Sequence, residues 1–593
     1  MADAYLSDSK IEDNPITDTK GTSSLQKQAE QLFVNKLNGM YMESALHKEH
    51  IASEWEAYIR IVRGHQWPGR RPSYKVSAVL NFILENIERK TALLTDAKPR
   101  PLITPFKDEL QDTADVLNIL TKVFYQGSSF EQANADMIEN TQVFGSGFLG
   151  SIYDTSARQN SGDVRVVSYD PRASYIDPML LKSYLLCDAE YFILEDVWPL
   201  EKAQDLFPDR ADEFKANDIL SVYSTPQTGS LFRNLVNKVF TRTDNLRRSE
   251  IPRVHIREFY VKDRSKDSKG KPRFKNQCRK VLLVNDIIAS DGANPYADGE
   301  FPVDMMIWHT DFESAWGWGD VELLRNPQEL MNKVLATIIE NIMLMSNAIW
   351  IGDKDALTTE EWKKLTNAPG SYVRKSPGRE LRREPGVSLA PNVLETLQHI
   401  QTGGEKITGM VDVMRGIRTG QVSSGVGIES LQLMAQALIR LRGRALEAMH
   451  NRIGQKIISR IYQYVPPNRV QHIIQMEDKE KMVVAHSTEL MKPITQRKQS
   501  EVLDLLFTIE PGSGLGLAQT QKRIESMRLR EMQVIDDEAL LEDLKYPNRK
   551  KVITRVAAKR QNEANQEIAG QQPNASRGTQ FPNQGGGSPK GRF

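Results

Sequence analysis

The sequence predicts an α+β fold that is predominantly helical. Segments of strand character follow one another from about Gly150 to Thr310 without crossover helices between them, the pattern of antiparallel pairing. Long stretches with helical spacing flank that block on both sides. Proline and glycine mark most of the boundaries.

Residues 1–25 are polar and are expected to be disordered. Gln26 to about Val62 has a helical pattern. The turn region GHQWPGRRP then leads to an apolar helix, about Ser77 to Thr95, which Pro99 and Pro101 stop. Another helical stretch runs from about Asp108 to Phe144. GSIYD, DVRVVSYD, AEYFILEDV, VHIREFYVKD, CRKVLLVND and VDMMIWHT read as strands. In RNPQELMNKVLATIIENIMLMSN, Asn326 is the expected N-cap, Pro327 suits the first helical position and Glu329 completes a capping box. Leu330, Val334, Ile338, Ile342 and Met345 share one stripe of that helix. Residues 349–390 are compact and rich in Gly, Pro and Arg. A helix follows Pro391 and is expected to break at Gly403 and Gly404. The segment from Ile428 to Val465 reads as one long helix. VQHIIQM and KMVVAH are strand-like, Gln519 to Glu563 is helical and charged, and residues 564–593 form a low-complexity tail.

Composition narrows the function. Lys and Arg number 78 against 77 Asp and Glu, so any nucleic-acid contact must come from local patches. Cys187 and Cys278 are too few for a disulfide framework or a cysteine zinc site. The amino terminus lacks a signal-peptide pattern, and no apolar run reaches about 18 residues. The expected setting is the cytosol, or a particle assembled there.

Catalytic motifs fail one by one. GSGFLG at Gly145, Gly147 and Gly150 matches a dinucleotide fingerprint, but a helix precedes it and strands follow, the reverse of the required order. RGIRTGQVSSGVGIES, Arg415 to Ser430, places a glycine-rich loop before a helix. Counted from Gly416, the second glycine of a Walker loop falls on Gln421, and Gly425 is followed by Val426 where lysine is needed. GDKDALTTEEW lacks the fifth and sixth residues of a calcium loop, and Thr358 with Glu361 reads as a capping box. Asp108, Asp112 and Asp115 read as a solvated face. No catalytic residue, metal site or cofactor is expected.

Local charge says more. YVKDRSKDSKGKPRFKNQCRK carries nine Lys and Arg against two Asp, and RKSPGRELRR adds five cations. They read as solvated loops or as surfaces for nucleic acid or an acidic partner. Arg415, Arg418, Arg440, Arg442 and Arg444 cluster on and after the glycine loop.

Several stretches together resemble the portal, or head-to-tail connector, proteins of tailed bacteriophages over most of the chain. They are YIRIVRGHQW with RRPSYKVSAVLNFILENIERKTALLTDAKPRP, TQVFGSGFLGSIYD with DPRASYIDPM and CDAEYFILED, GWGDVELLRNPQELMNKVLATIIENIM, and GMVDVMRGIRTGQVSSGVGIESLQ. The resemblance implies a ring, usually dodecameric, at one capsid vertex. Double-stranded DNA would be pumped through it by a separate large terminase and later ejected. It implies a wing over residues 26–320, a first stem helix over 321–347, a clip over 348–390 and a second stem helix over 391–414. A tunnel loop over 415–430, a channel-backing helix with a return to the wing over 431–518, and a helical crown over 519–563 complete it. Arg415, Arg418, Gln421, Ser423, Ser424, Arg440, Arg442 and Arg444 would contact DNA without reading its sequence. Lys363, Lys364, Arg374, Lys375, Arg379, Arg382 and Arg383 would face partners on the clip. The implied partners are further copies of the chain, terminase, major capsid and scaffolding proteins, and adaptor or tail proteins. The implied location is the virion, with assembly in the host bacterial cytoplasm. A structural adaptor without DNA contact, or a nucleic-acid enzyme, is the alternative.

Overall fold

The computed structural model describes residues 24–216, 252–346, 349–365, 374–384, 392–409, 437–465, 494–510, 525–543 and 552–559, with short gaps inside these ranges. It is mixed α/β and about 54% helical, as the sequence predicts. Residues 1–515 and 516–593 form two units.

In the first unit, α1 (Ser24–Ala52) and α2 (Trp55–Val62) replace the single expected helix. α3 spans Phe82–Thr95 rather than starting at Ser77. The Asn81 side chain accepts from Leu84 N, and the backbone just before it is occupied by a buried glutamine. Gln328 Oε1 accepts from Phe82 N at 3.0 Å, while its Nε2 donates to Leu80 O at 2.7 Å. Tertiary hydrogen bonds thus compete with an extra helical turn. β1 (Pro101–Pro105) follows, then α4 (Gln111–Gln126) and α5 (Ser128–Phe144).

The six strands expected between Gly150 and Thr310 form, and every pairing among the described residues is antiparallel. β2 (Ser146–Asp154) lies between β3 (Asp163–Tyr169) and β9 (Val303–Ile307). β4 (Ser174–Ile176), β5 (Tyr191–Pro199), β6 (Arg253–Lys262), β7 (Cys278–Val284) and β8 (Ile287–Ala293) form a five-stranded sheet in that order. α1 packs Val34, Leu37 and Tyr41 on Ile193, Phe259 and Val281 of this sheet.

GSGFLG is the junction where α5 ends and β2 begins. Gly145 adopts φ +84°, and a Cβ there would stand 2.1 Å from Gly317 O. A Cβ on Gly147 would stand 2.1 Å from Thr141 Oγ1. These glycines serve close packing. Asp108, Asp112 and Asp115 are exposed.

The next helix, α6 (Asp320–Ser346), corrects the sequence reading: Asn326 is not its N-cap, and Pro327 lies inside it. Its start is fixed six residues earlier by Asp320, buried and 2.6 Å from Lys90 Nζ. A carboxylate also suits a helix N-terminus. The expected stripe divides. Ile338 is buried and Val334 half-buried, whereas Leu330, Ile342 and Met345 are exposed. β10 (Ile349–Gly352) pairs with β11 (Leu381–Glu384), and α7 (Thr359–Lys364) starts at the expected Thr358–Glu361 capping box.

α8 (Asn392–Thr408) runs through Gly403 and Gly404 without breaking. A Cβ on Gly404 would stand 3.0 Å from Phe82 Cε1, a tight approach, so α8 lies close on α3. The helix ends at Gly409, φ +75°. α9 (Ala437–Tyr464) places Met449, Ile453, Ile457 and Ile461 in the core with α4, α5, β1 and β12 (Leu505–Ile509). β12 pairs with β1 from about 400 residues away along the chain. VQHIIQM and KMVVAH lie outside the described residues. In the second unit, 525–531, Asp537–Asp543 and 552–556 are helical.

Candidate functional site

The glycine loop, with Arg415, Arg418, Gln421, Ser423 and Ser424, lies outside the described residues. Its flanks do not. A Cβ on Gly409 would stand 2.7 Å from Leu438 Cδ1, so the end of α8 touches the start of α9.

The first two turns of α9 carry RLRGR. Arg440 and Arg444 are four apart and share a face, and both are exposed. Arg442 is turned about 200° from Arg440 at 100° per residue and is half-buried. It donates Nη1 to Trp308 O, and Nη2 lies 2.6 Å from His309 Nδ1. A guanidinium can only donate, so Nδ1 accepts and the His309 proton sits on Nε2, 3.5 Å from Asp320 Oδ1. Lys90 approaches the other oxygen at 2.6 Å. Arg442, His309, Asp320 and Lys90 thus form one chain around a cavity of about 70 Å³ that also reaches Thr408 and Leu438.

Burial lowers the pKa of Arg442, and Asp320 opposes that shift. Burial alone would raise the Asp320 carboxyl, but the neighbouring His309 and the Lys90 ammonium outweigh it and hold the group below its usual range. The cluster therefore keeps its carboxylate ionised, and it ties the starts of α9 and α6 to α3.

Farther along α9 the cations turn inward. Arg452 Nε lies 2.8 Å from Asp304 Oδ1, Lys456 Nζ lies 3.3 Å from Oδ2 of the same residue, and Arg460 pairs with Asp298. Of the arginines expected on this helix for DNA, Arg440 and Arg444 are exposed, whereas Arg442 is half-buried.

The β10–β11 hairpin carries the other cluster. Lys363, Arg374, Lys375, Arg379, Arg382 and Arg383 are all exposed. Arg379 pairs loosely with Asp355 at 3.7 Å, Arg382 lies 3.3 Å from Glu384, and Arg383 donates to Ser346 O at 3.2 Å. Lys364 ends α7. Residues 349–384 hold eight Lys and Arg against six Asp and Glu, so this region is less basic than its RKSPGRELRR stretch suggests.

Sequence reasoning missed the apolar surface beside this hairpin. Ile342, Met343, Leu344 and Met345 on α6 and Leu394 on α8 are exposed, Leu344 at 68% and Leu394 at 61%. The signal was present as side chains lying all around the end of α6, too many for one buried stripe.

Among the described residues, no cluster of His, Cys, Asp and Glu suits a metal ion. No helix among them is long and apolar enough to cross a membrane. A family model described as Phage P22-like portal protein matches residues 54–584. No curated protein matches the chain.

Proposed function

The chain belongs to the P22-like phage portal protein family, and from that premise we propose that it assembles as a closed ring, a dodecamer by family expectation, at one vertex of a phage capsid. Double-stranded DNA enters through the ring, driven by a separate large terminase, and later leaves through it. Capsid and scaffolding proteins meet the ring from the head side, and adaptor or tail proteins attach at the clip. Residues 321–347 and 391–414 serve as the stem, 348–390 as the clip, 415–430 as the tunnel loop and 519–563 as the crown. The role is structural, with no catalytic residue or cofactor assigned.

The observation that carries this reading is the pair of packed helices, α6 and α8, whose shared end leaves large apolar side chains in water. A lone soluble chain gains nothing from such a surface, whereas a neighbouring copy buries it. Near-neutral net charge suits a conduit, since each phosphate held by a cation adds salt-dependent affinity and acts as a brake. Arg440 and Arg444 supply the contacts on α9, with Arg415, Arg418, Gln421, Ser423 and Ser424 on the loop.

Negative-stain electron microscopy of the purified full chain tests the assembly. Closed rings are expected, and a monodisperse monomer across salt and protein concentrations overturns the proposal. Replacing Arg415, Arg418, Arg440 and Arg444 by alanine tests the DNA contact. Packaging or genome retention should fall while rings persist; unchanged retention favours an adaptor that does not touch DNA.

A further inference from the structure

The β1–β12 ribbon has one face in the core and one in water. Ile103, Leu505, Phe507 and Ile509 are buried, whereas Leu102 is 50%, Phe106 67% and Leu506 45% exposed. Leu102 stands opposite Thr508 and Thr104 opposite Leu506, so these side chains adjoin on the outer face. Both edges of the ribbon are filled by side-chain amides. Asn118 bonds the N–H and the carbonyl of Ile103, at 2.7 and 3.1 Å. On β12, Gln455 accepts from Phe507 N at 3.1 Å and donates to Leu505 O at 3.0 Å, and Asn451 accepts from Ile509 N at 2.8 Å. These amides block the addition of a further strand, which leaves the apolar face as the surface for a partner to cover.

That face has an acidic rim. Asp108, Glu109, Asp112 and Asp115 follow Phe106 across the turn into α4; all four are exposed, and none has an ion-pair partner among the described residues. Lys107 beside them is held 2.6 Å from Asp504. The complementary surface is the loop between β6 and β7. Residues 263–277 carry six Lys and Arg against two Asp. Pairing continues into the loop, where Lys266 bridges Pro272 and Arg273 N donates to Ser265 O at 2.9 Å. Its acids are turned to the backbone, Asp263 accepting from Ser265 N at 2.9 Å and Asp267 from Lys271 N at 3.1 Å. Lys266, Lys271 and Arg273 are exposed and have no ion-pair partner among the described residues. The Arg273 guanidinium lies 5.6 Å from the centre of the half-buried Phe274 ring, so the cations flank an aromatic side chain.

The two surfaces match in sign and in character. Nucleic acid or an acidic peptide would satisfy the loop alone and leave Leu102, Phe106 and Leu506 in water, whereas a second copy of the chain satisfies both. The surfaces grow from different cores, Ile103 and Phe507 belonging to one and Phe259 and Val281 of β6 and β7 to another. No ion pair joins them within the chain among the described residues. We propose that the 263–277 loop of one copy docks on the β1–β12 face of the next. Lys266, Lys271 and Arg273 meet the carboxylate rim, and Phe274 meets the apolar centre. The contact uses a different patch on each copy, so it repeats head to tail and closes a ring where the rotation permits. It rests on the ring reading and names the residues of one subunit contact within it.

Sedimentation velocity of full-length charge-reversal variants tests it. Lys266→Glu with Lys271→Glu and Arg273→Glu should raise the concentration of half-assembly at least roughly tenfold, because like charges then face each other. Asp108→Lys with Glu109→Lys and Asp112→Lys should do the same. Both sets combined in one chain reverse both surfaces and should return assembly to near the native concentration. Phe106→Ser removes the apolar centre without touching charge and should also weaken assembly. All these positions are exposed or half-exposed, so thermal melts of the unassembled variants should match the native chain. Native rings with both charge sets without effect, or a combined variant no better assembled than either set alone, overturn the proposal while the ring reading stands. A native chain that stays monomeric overturns both. Loss of duplex DNA binding in the loop variant with assembly unchanged assigns the loop to nucleic acid and overturns the proposal too.

Discussion

Lys48, on α1, is fully buried. It donates to Arg172 O at 2.6 Å and to Ser174 O at 2.7 Å, and its Nζ stands 3.8 Å from the centre of the Tyr175 ring. Burial pushes the ammonium down to about 7, against the opposing pull of Glu195 and Asp170. The unfolded lysine keeps its proton up to about 10.5. Between these values the unfolded chain holds the extra proton, so this group makes stability rise with pH, by at most about 1.4 kcal/mol per pH unit. Lys48→Met should remove that component. Urea midpoints measured at pH 7, 8 and 9 should climb more steeply in the native chain than in the variant, and equal slopes would refute the assignment. Nothing in the local sequence MESALHKEH marks Lys48 as buried, because its partners arrive from more than 120 residues away. Arg442 was more legible: helical periodicity alone sets it opposite Arg440 and Arg444, and only its acceptors, Trp308 O and His309, needed the fold.

Most of the misread elements share one cause: contacts distant in sequence overruled local signals. Asn326, Pro327 and Glu329 make a good local helix start, yet the Asp320–Lys90 pair carries the helix past it. β1 was missed because PLITP begins and ends in proline and its partner β12 is supplied by a remote segment. β8 was missed because IIASDGA is too polar to read as a strand, although Asn285 and Asp286 at φ 53° and 118° make the two-residue hairpin turn that these residue types favour. The helices and the apolar strands were legible because periodicity records burial directly. The glycine pair in α8 offers a sharp test of this contrast. Gly403 has open space around its missing Cβ, whereas Gly404 faces Phe82 and Leu324. Gly403→Ala should stabilise the chain by up to about 1 kcal/mol through helix propensity. Gly404→Leu should destabilise it by about 1–3 kcal/mol by forcing α8 off α3. Thermal melts of the two variants should move in opposite directions; shifts of the same sign would mean that α8 does not pack this closely.

At the scale of the whole molecule, the first unit closes on itself where β12 returns to β1. The end of α6 leaves four consecutive large apolar side chains exposed. Fully burying a side chain the size of leucine or methionine contributes about 1.5–3 kcal/mol, and Ile342, Met343, Leu344 and Met345, 42–68% exposed, forgo about half of that in the isolated chain. Their exposure costs a monomer solubility without helping its fold, so assembly is where they can contribute. Substitution should therefore separate folding from oligomerisation. Ile342→Glu combined with Leu344→Glu alters positions that are 52% and 68% exposed, so the melting of the isolated chain should shift by no more than about 0.5 kcal/mol. In a ring, each interface would instead bury two unpaired carboxylates, at a cost of several kcal/mol per copy. Sedimentation velocity should find the double variant folded and monomeric at concentrations where the native chain forms rings. Rings of native size from the variant would place the subunit contacts elsewhere on the molecule and remove this surface from the assembly argument.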